Sequence, residues 1–70
     1  MIPTLEAMMG NGSNPIGYRL RRGRNTYEIV CTFSGGIAGL RRYDGNKLDY
    51  SRMIEVRPRD YEKYTVVNRI

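Results

Sequence analysis

The sequence predicts a small all-β domain, and three observations carry that reading. Apolar residues recur with period two over most of the chain after residue 15, reversal signals fall between the alternating runs, and the second run has β-branched and aromatic residues. The chain has 70 residues, 40% hydrophobic and 27% charged, which is too apolar for disorder and too interrupted by charge for a membrane span.

Residues 1–15 read as a flexible N-terminal arm and residues 16–70 as the β domain. Leu5 to Met9 is a short apolar stretch, followed by the turn-forming run Gly10 to Pro15. Thr4 is placed to cap one or two helical turns ending at Gly10, and so short a helix holds only if it docks. From Ile16 the period is two: Ile16, Tyr18 and Leu20 share one face, with Arg19 and Arg21 on the other. Arg22-Gly23-Arg24-Asn25 is the first turn. In the second strand Tyr27, Ile29, Cys31 and Phe33 alternate with Glu28, Val30 and Thr32, which assigns Cys31 and Phe33 to the core face.

Ser34-Gly35-Gly36 makes the next reversal, and Ile37 to Tyr43 the third strand, with a bend or bulge expected at Ala38-Gly39. Asp44-Gly45 is a hairpin signal. Leu48 to Val56 reads as a fourth strand whose register slips around Arg52 and Met53. Pro58 ends it, Arg59 to Lys63 forms a helical or 3₁₀ turn, and Tyr64 to Val67 is the last strand.

Four strands joined by tight turns, one helical turn at Pro58-Arg59-Asp60-Tyr61 and a short fifth strand at Thr65-Val66-Val67 resemble the order of elements in SH3-like small barrels. The likeness covers about residues 16–68 and lies in spacing alone. It implies a five-stranded SH3-like barrel with the helical turn before the last strand, and a module that binds peptide, RNA, DNA or a larger machine. The peptide-binding signature of signalling SH3 domains is absent, since the chain has no tryptophan. An OB-type barrel is the rival; it needs a helix where only Asp44 to Lys47 intervene.

The residue inventory argues against catalysis. With no histidine and one cysteine, the chain can assemble neither a Cys/His zinc site nor an internal disulfide, and Cys31 has no imidazole to deprotonate it. Asp44, Asp49, Glu55, Asp60 and Glu62 lack the spacing of a metal-binding loop. Gly10-Asn11-Gly12 and Ser34-Gly35-Gly36 lack the rest of a phosphate-cradling motif. No enzyme activity, cofactor or metal is expected. The N-terminal residues show no basic and apolar leader pattern, so the expected location is cytoplasmic with no membrane partner.

Charge is the informative signal. The formal net charge is +5, and ten of the twelve basic residues are arginine. Arg19, Arg21, Arg22 and Arg24 crowd one turn with no acidic residue between them, and Arg41 and Arg42 end a strand. Guanidinium groups bind phosphate through paired hydrogen bonds and stack on planar rings. The expected function is therefore a non-catalytic binding module that contacts nucleic-acid backbone through an arginine-rich hairpin. Its candidate site is Arg19, Arg21, Arg22, Arg24, Arg41 and Arg42 with Tyr43 and Tyr50. The alternative is a small protein-binding regulator or inhibitor, of mobile-element or viral type, acting on a host nuclease, polymerase or defence complex. The thin core of so short a chain makes self-association a third expectation.

Overall fold

A computed structural model of the chain describes residues 4–10, 12 and 14–69. Helix α1 (Leu5–Gly10) precedes six strands: β1 (Tyr18–Arg22), β2 (Asn25–Phe33), β3 (Ile37–Asp44), β4 (Lys47–Leu48), β5 (Ile54–Val56) and β6 (Thr65–Arg69). A 3₁₀ helix spans Pro58–Lys63. All pairing is antiparallel, in the order β4-β3-β2-β1-β6, with β5 beside β3. Among the described residues the path does not close, because β5 and β6 do not pair with one another. Among the described residues no helix is long and apolar enough to cross a membrane.

The strands lie where alternation and turn chemistry put them, with two differences. First, the expected single fourth strand is divided. β4 pairs with Tyr43 and Asp44, and β5 pairs with Ala38 to Leu40, both on the edge of β3 that β2 leaves free. The chain between them, residues 49–53, leaves the sheet where the apolar alternation slips. Second, β1 begins at Tyr18, and Ile16 stands outside it, 42% exposed.

Period two sorts the side chains of β1–β3 onto an inner and an outer face. Leu20, Ile29, Ala38 and Leu40 point inward with no exposure at all, and are joined by Tyr27, Val56, Val66 and the two tyrosines around the 3₁₀ helix, Tyr61 and Tyr64. Tyr27 and Tyr64 meet edge to face with ring centroids 5.6 Å apart. The Tyr61 hydroxyl donates to the Gly36 carbonyl and ties the 3₁₀ helix to the β2–β3 turn.

Part of the stretch expected as a flexible arm belongs to this core. Thr4 Oγ1 accepts the Ala7 N–H at 3.1 Å, an N-terminal cap. Leu5 and Met8, three residues apart and so on one side of α1, are each 2% exposed within the same apolar cluster as Leu20 and Ile29. A six-residue helix has too few hydrogen bonds to persist alone, and burial of these two side chains supplies what propensity lacks.

The assignment of Cys31 and Phe33 to the core is corrected. The β2–β3 register shifts between Ile29 and Cys31, so Val30 is an extra residue and everything beyond it turns over. A Cβ on Gly39, which pairs with Cys31, would lie 2.5 Å from Cys31 Sγ, 3.1 Å from Met53 Sδ and 3.2 Å from Phe33 Cε2. These three side chains therefore lie over Gly39 on the outer face. Cys31 is half-buried there, and Phe33 is 45% exposed.

Candidate functional site

The arginines around the first turn are held by a short hairpin. Arg22 pairs with Asn25 across a two-residue loop, Gly23-Arg24, in which Gly23 has φ +61°. That conformation is the one the first loop residue of a type II′ turn requires, and glycine adopts it without strain. The register then aligns Arg19 with Glu28, and Glu28 with Arg41, as one row across the outer face of β1, β2 and β3.

Tyrosines organise this row. The Arg19 guanidinium lies over the Tyr43 ring, 5.1 Å from its centroid, and Arg19 Nε donates to Tyr43 Oη at 3.3 Å. Tyr43 Oη in turn donates to Glu28 Oε1 at 2.5 Å. Burial and then this bond to Glu28 raise the pKa of the Tyr43 phenol above its usual 10.0, so it stays protonated and keeps donating. Arg41 lies over Tyr50 at 5.2 Å, while its Nη1 donates to the backbone carbonyls of Asp49 (3.4 Å) and Arg52 (3.2 Å).

Arg21 and Arg24 are different. Both are exposed, and among the described residues neither has a hydrogen-bond or ion-pair partner. Arg24 and Arg19, with Asn25, Thr26, Tyr43 and Asn46, line an open cleft of about 510 Å³ between the first turn and the Gly45-Asn46 turn. No carboxylate lines it.

The other two arginines of the candidate set do not join this group. Arg22 shares the inner-face parity of Leu20 and sits beyond the end of the core, its guanidinium 5.3 Å from the Tyr64 centroid and Nη1 donating to Tyr64 Oη at 3.3 Å. Arg42 likewise follows the inward parity of Leu40, with Nη1 3.5 Å from Asn25 Oδ1. Six of the eight candidates, Arg19, Arg21, Arg24, Arg41, Tyr43 and Tyr50, thus share the outer side, and Arg22 and Arg42 lie on the other.

A fourth stacked pair, Arg69 over Tyr18 at 5.5 Å, was not among the candidates. Among the described residues, four arginines thus lie over tyrosine rings. Yet no arginine has a carboxylate within 4.0 Å among the described residues, where the one ion pair is Lys63 with Asp60 at 3.0 Å. Of the candidate arginines, Arg21 and Arg24 keep all their guanidinium donors free among the described residues.

Cys31 Sγ faces Met53 Sδ at 3.7 Å, and the Asp49 carboxylate accepts both the N–H and the hydroxyl of Ser51 (2.9 and 2.5 Å), which lowers its pKa. Among the described residues no three acidic or cysteine side chains converge as metal ligands. No family model, curated protein or solved structure matches the chain.

Proposed function

We propose that the chain is a non-catalytic module that binds nucleic-acid backbone on its outer face, with Arg19, Arg21 and Arg24 around the cleft as the phosphate contacts. The observation that carries this reading is the absence of any carboxylate partner for the arginines among the described residues. Ion-paired guanidinium groups would be structural; unpaired ones crowded around an acid-free cleft repel each other and are relieved by an anion. A phosphate chain offers several anions at the spacing of a groove. The pairing of β1 with both β2 and β6, and the 3₁₀ helix before β6, support an SH3-like small barrel as the scaffold.

The reading is tested by fluorescence anisotropy of a labelled oligonucleotide across a salt series. Three phosphate contacts predict a slope of log K against log salt of about −2 to −3, at about −0.7 per contact for a single strand and about −0.9 for a duplex. A slope near zero contradicts the proposal.

A second reading, a protein-binding regulator that docks on a host nucleoprotein machine, is favoured by one observation. Phe33 and Met53 are 45% and 39% exposed beside half-buried Cys31 on the same outer face, beyond the arginines. In that case Phe33→Ser abolishes capture of the partner, and binding persists at moderate salt.

A further inference from the structure

We infer that the nucleic acid is held as a single strand and that Tyr50 is its base-stacking platform; this rests on the backbone-binding reading above. Tyr50 is the most exposed large apolar side chain among those described, at 73%, and it is not loosely displayed. It stands at the middle of a turn closed by Asp49 and Ser51, whose N–H and hydroxyl both donate to Asp49 Oδ1. One side of its ring is backed by the Arg41 guanidinium, which is itself fixed by the carbonyls of Asp49 and Arg52 on either side of the ring's own turn.

The ring is therefore pre-oriented, with a cation behind it and its other side open to water. Such a surface suits an unpaired base, because every base presents a π-face and an ordered platform loses little entropy on contact. A duplex keeps its bases stacked inside and offers this ring nothing flat. The placement also allows a strand path. Arg41 and Arg19 occupy one row two strands apart, roughly 10 Å at the usual spacing of strands, with Glu28 between them engaged by the Tyr43 hydroxyl. A chain stacked on Tyr50 thus reaches the cleft beside Arg19 and Arg24 within a few nucleotides.

The test uses the full chain with a short fluorescein-labelled oligothymidylate and a blunt duplex of the same length. The single strand binds more tightly than the duplex. Tyr50→Ala weakens the single strand about tenfold and leaves the duplex within about twofold, while Tyr50→Phe keeps wild-type affinity for both. Tyr50→Trp introduces the only indole in the chain, and its emission is quenched when the oligonucleotide is added. Equal binding of both probes, an unchanged or equal effect of Tyr50→Ala on them, or an unquenched indole overturns the inference while leaving salt-dependent backbone binding intact. If the wild-type chain binds neither probe at low salt, the parent reading falls, and this one with it.

Discussion

Two sets of side chains lie one residue apart on the same strands. Leu20, Ile29 and Leu40 face inward with no exposure, whereas Arg19, Glu28 and Arg41 face outward and interact through tyrosines and backbone carbonyls. The inner set stabilises by removing apolar area from water, and the outer row holds two arginines in place around Glu28 without a direct ion pair. Fold and binding are thereby assigned to opposite sides of one sheet and are separable by substitution.

The largest effect is expected on the inner side. Ile29→Ala should cost about 2–5 kcal/mol in urea unfolding, a large part of the stability of so small a domain, since Ile29 is fully enclosed. If the cost is below about 1 kcal/mol, the inner set is not the core. Gly39→Ala comes next, at about 1–3 kcal/mol, because its Cβ would meet Cys31 Sγ at 2.5 Å. Cys31→Ala should relieve part of that cost, and strict additivity of the two changes would show that the bulge at Val30 does not bring these residues together.

Tyr61→Phe should lower stability by about 1 kcal/mol, since it removes the bond to the Gly36 carbonyl. Tyr61 and Tyr43 also set an alkaline limit. Burial raises the pKa of both above 10.0, so folding favours their protonated forms. Their stabilisation is complete below pH 10 and is lost as pH climbs through the raised values. Stability measured against pH should fall there, and the Tyr43→Phe/Tyr61→Phe double variant should show a shallower fall.

Much of the inner face was legible in sequence. Leu20, Tyr27, Ile29 and Leu40 follow period two, and the turns at Gly23, Gly35 and Gly45 have the residues those turns need. Cys31 and Phe33 fall on the other face because the extra residue is Val30 in β2; Gly39, where a bend or bulge is expected, pairs with Cys31 beside it, but a glycine does not tell which strand carries the extra residue. The arginine cluster is visible as a run, and period two already sets Arg19 and Arg21 opposite Leu20; the same rule separates Arg22 from Arg21 and Arg42 from Arg41 once β1 and β3 extend through them. The tyrosine partners lay beyond reach, since Tyr43 is 24 positions from Arg19 and Tyr64 is 42 from Arg22. Docking of α1 was equally hidden; the spacing of Leu5 and Met8 offered a face but not what it meets.

The smallest effect on stability is expected where the effect on binding is greatest. The Arg21→Ala/Arg24→Ala double variant removes two exposed side chains without partners among the described residues, so its urea midpoint should stay within about 0.5 kcal/mol of wild type. The decisive measurement is the salt slope of nucleic-acid binding for this variant beside the wild-type chain. A slope lower by about 1.5, with weaker binding and an unchanged urea midpoint, is the predicted result. An unchanged slope and affinity would contradict the assignment of binding to the outer face.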